Sequence, residues 1–245
     1  MGEKEDLEYQ TLSIIYRSKE PVGSGILSDK LRRGGFCVSE ATAGRILREL
    51  DAAGLTVRSG FRGRCLTEQG QQRLLELEQK RIRFTYEQEF IKAVRARSKQ
   101  DLIDLLIARR AIERETARLC AIHATEKDIS RLKEVMLRQK DHAKDGVVAA
   151  DDVEFHRIIA EASGNKVLLA AVDLIRQDGQ ITPVLEHIRR EVKSTVAADH
   201  EMILSAIEER DPKKAETSMV THIENIIADV EKYWRVAEEE GRDAS

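Results

Sequence analysis

Proline is nearly absent, with three in 245 residues, and only thirteen positions are Phe, Tyr, Trp or Pro. A chain so poor in proline and aromatics, yet rich in Glu, Lys, Arg, Leu and Ala, reads as mostly helical. The three cysteines, Cys37, Cys65 and Cys120, lie far apart with no CxxC pair, which excludes a zinc ribbon and a disulfide framework. They read as reduced packing residues. No apolar run approaches the roughly 18 to 20 residues that a membrane span requires, and the acidic start MGEKEDLEYQ has no apolar signal core. These absences point to a cytoplasmic protein without a membrane partner. Enzyme signatures are missing too. There is no HExxH, GxSxG or GxxxxGK[ST], and no histidine is preceded three residues earlier by Glu, as a di-iron carboxylate bundle requires.

What is present begins with charge. The net charge is −3, but it hides an asymmetry. Residues 17–66 carry ten Lys/Arg against five Asp/Glu, a balance of +5. A basic amino-terminal unit suits a polyanion, although a solvated basic surface has the same composition. Local pattern has to decide. Leu7, Leu12, Ile14 and Ile15 follow a helical distribution, broken by Pro21, Gly23 and Gly25. ILSDKLRR reads as a short second helix ended by Gly34 and Gly35. Ser39 is a good N-cap for a third helix with Ile46, Leu47 and Leu50 inward, closed by Gly54. LTVRSGFRGRCLT then holds two β-prone pieces around a glycine-containing turn. Three helices and a hairpin describe a winged helix-turn-helix over residues 1–67.

Residues 68–97 form a charged, glycine-poor stretch expected to be a connecting helix, and residues 98–238 read as an all-helical bundle of about six helices, the fourth interrupted near Gly179 and Pro183. The fold class is therefore mainly α. In the bundle, Asp152 and His156 are four residues apart, on one face of a helix. Asp211, followed by Pro212, marks a helix start, and His200 and His222 lie eleven residues to either side of it. In an antiparallel hairpin they stand at the same height, and each lies on an apolar stripe. A lone inward histidine is more often a satisfied core residue, and an Asp/His pair four apart is more often a local hydrogen bond. Three imidazoles and a carboxylate buried together without a shared partner cost several kcal/mol, however. Nitrogen and carboxylate donors suit zinc, nickel or another borderline divalent ion. His123, His142 and His187 have no such company.

The stretches LLIARRAIERETARLCAIHA, DVEFHRIIAEASGN and DHEMILSAIEERDPKKAETSMVTHIENI, taken in order, resemble the effector-binding domain of the FCD subfamily of GntR-type bacterial transcription regulators, over roughly residues 98–238. The resemblance implies that Asp152, His156, His200 and His222 hold a divalent metal that coordinates a small carboxylate effector. It also implies that Arg109 lines the effector pocket, where a bidentate contact to a carboxylate is natural. An arginine on this charge-rich helix is otherwise a surface residue. The amino-terminal part, PVGSGILSDKLRRGGFCVSEATAGRILRELDAAGLTVRSGFRGRCLTEQG, is more similar to the winged helix at the front of ribonuclease R.

A DNA-binding winged helix would present Ser39, Thr42, Arg45 and Arg48 to the major groove, with Arg58, Arg62 and Arg64 meeting phosphate or the minor groove. A two-fold operator requires a homodimer, with the helical domain as the expected contact. The alternative function is a metal-dependent enzyme of the helical-bundle type. A general acid or base is missing from that picture.

Overall fold

The computed structural model describes residues 2–95, 98–142, 149–176, 181–194 and 197–239. It divides into two compact units, Met1–Phe90 and Ile91–Ser245. Among the described residues no helix is long and apolar enough to cross a membrane.

The first unit holds α1 (Glu3–Tyr16), α2 (Ser24–Arg33), α3 (Glu40–Ala52), β1 (Thr56–Arg58), β2 (Arg64–Leu66) and the start of α4 (Glu68–Ala93). This is the expected winged helix-turn-helix. Gly23 caps α2, so the break after α1 is shorter than the glycines suggest and Gly25 lies inside the helix. The turn from α2 to α3 depends on Gly35 at φ +89 and on the Phe36 amide donating back to the Leu31 carbonyl at 3.0 Å. Ser39 caps α3 by accepting from the Thr42 amide at 3.1 Å. The β1–β2 pair is antiparallel, Thr56 opposite Leu66 and Arg58 opposite Arg64. Val22 adds a bridge to Arg64, giving the hairpin a third short neighbour. Leu12, Leu27, Leu31, Ala43, Leu47 and Leu77 are fully or almost fully buried in one core.

Leu74 and Leu77 belong to that core, so the opening turns of α4 do more than connect. Thr67 caps α4, accepting from the Gly70 amide at 3.0 Å and donating to the Gly54 carbonyl at 2.7 Å. Gly70 sits so close to the preceding loop that a Cβ there would lie 2.0 Å from the Leu55 carbonyl oxygen.

The second unit contains α5 (Lys99–His123), α6 (Glu126–His142), α7 (Ala149–Ala162), α8 (Lys166–Arg176), α9 (Ile181–Val192), α10 (Ala197–Glu208) and α11 (Pro212–Glu239). Seven helices stand among the described residues where about six were expected, because the stretch after Asn165 forms two. Pro183 lies in the first turn of α9, where its missing N–H breaks no helical bond, so it accompanies a helix start instead of a kink. Gly179 lies outside the described residues. Gly164 at φ +72 ends α7, and Asp211 caps α11 by accepting from the Lys214 amide at 2.9 Å. The long helices α5 and α11 pack against each other, and α10 folds back on α11 across the tight turn before Asp211.

Helix propensity alone says that Gly70→Ala should stabilise α4 by about 1 kcal/mol. The clash with the Leu55 carbonyl acts the other way, and overpacking of this kind costs about 1 to 3 kcal/mol or more. We expect a net loss of about 2 kcal/mol in urea unfolding of the chain, and a stabilised variant would contradict the close approach.

Candidate metal centre and its relatives

Helix α7 places Asp152 and His156 one turn apart, facing inward beside Phe155, Ile158 and Ile159. His200 enters from α10 and His222 from α11, both with no exposed surface. The three imidazole rings are mutual neighbours, with centroids 5.2 Å apart for His156 and His200, 5.1 Å for His156 and His222, and 4.7 Å for His200 and His222. Phe155 stacks on His200 at 4.3 Å and fixes that ring's plane. One donor atom from each of the four residues can be chosen so that all lie within 4.8 Å of one another. The structure thus brings together the four residues that the sequence grouped.

Two of the three imidazoles use their Nδ1 on a neighbour. His200 Nδ1 meets Gln139 Oε1 at 2.9 Å, and His222 Nδ1 meets Asp199 Oδ2 at 3.3 Å, while Asn225 Nδ2 holds the same carboxylate at 3.0 Å. His156 Nδ1 lies 2.5 Å from Glu113 Oε2, within ion-pair distance but outside hydrogen-bond geometry. A carboxylate only accepts, so the Nδ1 facing Asp199 carries the proton and Nε2 keeps its lone pair. On the opposite side, His156 Nε2, His200 Nε2, His222 Nε2 and Asp152 Oδ1 are all buried and none has a hydrogen-bond partner. Four orphaned acceptors pointing into one space are the expected donor set of an ion whose ligands are oriented from behind. Donor atoms around one ion at about 2.1 Å stand about 3 to 4 Å apart, a small contraction from the spacing seen here. The residues present therefore fit a divalent cation.

Electrostatics point the same way. Burial, seconded by the Arg176 charge, lowers His156 to about 3, and burial, with His156 and Arg189 nearby, lowers His222 to about 4. Burial also pushes His200 well below its usual value. All three are neutral near pH 7, the form that ligates. Burial would raise Asp152, but the Arg176 guanidinium outweighs it and keeps the carboxyl ionised.

Behind this set stands a buried ion network that the sequence did not reveal. Arg176, the last residue of α8, bonds Asp152 Oδ2 at 3.0 Å and Glu113 Oε2 at 2.9 Å. Arg109 bonds Glu113 Oε1 at 2.7 Å through Nε, and its Nη2 is buried without a partner. Arg109 is therefore no surface residue, since its side chain is 5% exposed. Glu113 binds two guanidiniums and neighbours one imidazole, and the charges of Arg109 and Arg176 overcome its burial and hold its carboxyl well below the usual range. A signal existed. The buried positions of α5 run Leu102, Leu105, Leu106, Arg109, Glu113, Thr116, Ala117 and Cys120, so the arginine and the glutamate continue the apolar stripe. Arg176 carried no such mark, because a cation in the last turn of a helix is ordinary. His142 stands away from the four-residue cluster, its Nδ1 meeting the buried Asp151 at 2.6 Å.

In the winged helix the expected contacts divide. Arg45, Arg48, Arg58 and Arg62 are exposed. Arg45 is paired with Glu49 at 2.6 Å, with both side chains largely in solvent. Arg64 is mostly buried, bonding Asp51 Oδ2 at 2.9 Å while Thr56 takes the other oxygen at 2.6 Å. It ties the wing to the end of α3, which leaves less of it for a phosphate. Ser39 is occupied as a cap, and its hydroxyl also meets the Thr42 hydroxyl at 2.9 Å.

A winged helix followed by a helical domain with three buried histidines and an aspartate defines a two-part architecture, and comparison with known proteins agrees with both parts. Residues 104–225 match the FCD domain, and residues 9–74 match the ribonuclease R winged-helix domain. The helical part of the chain is thus an FCD domain, and the winged helix in front of it is of the ribonuclease R type. It is 30% identical over 134 residues to the Uxu operon transcriptional regulator of Escherichia coli (strain K12), covering 50% of this chain and 51% of that one. It is 30% identical over 120 residues to the HTH-type transcriptional repressor NanR of Salmonella newport (strain SL254), covering 47% and 46%. The chain spans about half the length of the curated relatives it matches. A solved structure of Streptococcus agalactiae GntR has 20% identity, covers 91% of this chain and 98% of its own, and superposes with a TM-score of 0.46.

Glu113→Ala leaves the buried Arg109 without a bonded anion and Arg176 with Asp152 alone. Breaking one side of such a network costs about 3 to 5 kcal/mol, whereas Arg118→Ala, which removes a half-exposed pair with Glu115, should cost far less. Denaturant unfolding of both variants checks the contrast, and equal losses would contradict the central place of Glu113.

Proposed function

We propose that this chain is a DNA-binding transcription regulator whose operator affinity is set by a small carboxylate bound at a divalent ion in the helical domain. The observation that carries the reading is the set of four unsatisfied buried atoms, Asp152 Oδ1 and the Nε2 atoms of His156, His200 and His222. Those residues would hold the ion, zinc or nickel by the chemistry of the donors, and the ion would offer a coordination position to a carboxylate. Arg109 supports the second half of the reading. Its Nε is committed to Glu113 while the buried Nη2 is not, so the guanidinium has a donor for an anionic ligand. The relatives support the regulatory class, since one is named for an operon and another as a repressor. They also argue against the metal-dependent enzyme.

At the other end, α3 would enter the major groove with Thr42, Arg45 and Arg48, and Arg58 and Arg62 would meet the backbone. The Arg45–Glu49 pair is no obstacle, because an exposed pair is worth under about 1 kcal/mol. Ser39 would act there through the helix start that it caps, and Arg64 through the wing that it anchors. A homodimer, with two copies reading a two-fold operator, completes the proposal. A ligand that fits one arrangement of the protein better than another shifts the population, and with it the affinity for DNA.

Three experiments test this. Elemental analysis of protein purified without chelator or immobilised metal should find about one divalent ion per chain, and His222→Ala should lower metal affinity by orders of magnitude while far-ultraviolet circular dichroism is preserved. Metal retained at wild-type affinity refutes the shared site. Arg109→Ala should keep the metal yet weaken carboxylate binding in calorimetric titration, and unchanged affinity would remove Arg109 from that role. For the DNA, Arg45→Ala should cost about 1 to 3 kcal/mol and relax base preference, whereas equal binding to every sequence by both proteins would argue against readout by α3.

A further inference from the structure

We propose that Phe61, at the tip of the wing, is a wedge that inserts between base steps of duplex DNA, an inference that rests on the DNA-binding reading above. Phe61 is 106% exposed, more than any other large apolar side chain in the described residues, and nothing in its own domain covers it. Exposing a phenyl ring forgoes roughly 1.5 to 3 kcal/mol of burial, so the tip is better suited to a partner than to solvent. Along the same hairpin Val57 is 53% exposed, and it stands opposite Cys65, which is exposed as well. The outward face of the wing is apolar and ends in an aromatic ring.

The tip is held firmly. Ser59 donates its amide to the Gly63 carbonyl at 2.8 Å, and the Arg62 amide donates to Ser59 at 3.2 Å. Gly60 and Gly63 take φ of +58 and +137, and a Cβ on Gly63 would lie 2.4 Å from the Val22 carbonyl carbon. Val22 and Arg64 exchange backbone bonds at 2.9 and 3.0 Å, and Arg64 is tied to Asp51. A wedge presented on a clamped turn loses little conformational freedom on binding.

Charge selects the partner. Arg58 and Arg62 flank the ring, both exposed and without an ion pair among the described residues, and no acidic residue occurs between Asp51 and Glu68. An aromatic ring between two cations matches a groove whose walls are phosphates and whose floor is stacked bases. Apolar wedges of this kind unstack a base step and bend the duplex.

The test uses the full chain and a 30-base-pair duplex that the wild-type protein has enriched from random sequence, with 2-aminopurine placed at successive positions under the wing. Wild type should raise fluorescence at one step. Phe61→Ala should abolish that rise and weaken binding about tenfold, the loss of one stacking contact, with the slope of log affinity against log salt unchanged. Phe61→Leu, still apolar, should keep the fluorescence rise, and Arg62→Ala should reduce the salt slope by about one. Wild-type affinity in Phe61→Ala, or no unstacked step with wild type, overturns the wedge while DNA binding stands. If no duplex is enriched, the DNA-binding reading falls and the wedge with it.

Discussion

Glu113 is the interaction on which the helical domain depends. A carboxylate with almost no exposed surface is tolerable only because two guanidiniums, from Arg109 one turn earlier and from Arg176 at the end of α8, neutralise it at bonding distance. Having been held, it acts on others. It stands against His156 Nδ1 and, through Arg176, fixes Asp152 Oδ2, leaving Oδ1 to face the histidines. The order of cause is thus from an ion network outward to a set of aimed, neutral donors. Without that network, the burial that keeps the imidazoles neutral would strand the charges around them.

The same arrangement explains why neutral histidines and an ionised aspartate coexist within a few ångströms. Desolvation discourages charge on every group, but Arg176 reinforces it for His156 and opposes it for Asp152. One cation therefore sets opposite protonation states on two neighbours, and both are the states a cation site needs.

Much of this was legible in the amino-acid sequence, for reasons that differ by element. The winged helix could be read because its punctuation is chemical: Gly35 and Gly54 at positive φ, Ser39 as a cap, and glycines in the hairpin turn. His200 and His222 could be grouped because the tight turn before Asp211 fixes their relative height. Glu113 was missed although it continues the apolar stripe of α5, because an i,i+4 Arg–Glu pair ordinarily marks a solvent face, and Gln139 was missed because a polar residue late in α6 has the same appearance there as in a core. Their burial is a tertiary fact. Arg64 illustrates the converse, a basic residue whose place beside other arginines suggested phosphate and whose actual partner is Asp51. The count of helices failed where composition gives two apolar stretches without showing whether the chain between them stays helical.

Among the described residues, each helix from α5 to α11 contributes to the polar centre: Arg109 and Glu113 from α5, Gln139 from α6, Asp152 and His156 from α7, Arg176 from α8, Asp199 and His200 from α10, His222 and Asn225 from α11, with Arg189 of α9 acting on Asp152 through space. A bundle assembled without any one of them leaves a buried charge or imidazole lacking its counterpart. Apolar packing tolerates a helix sliding by a turn, since one leucine fills much the same space as another, but this centre does not. It works as a combination lock on assembly, accepting a single register of seven helices and making partly docked states expensive.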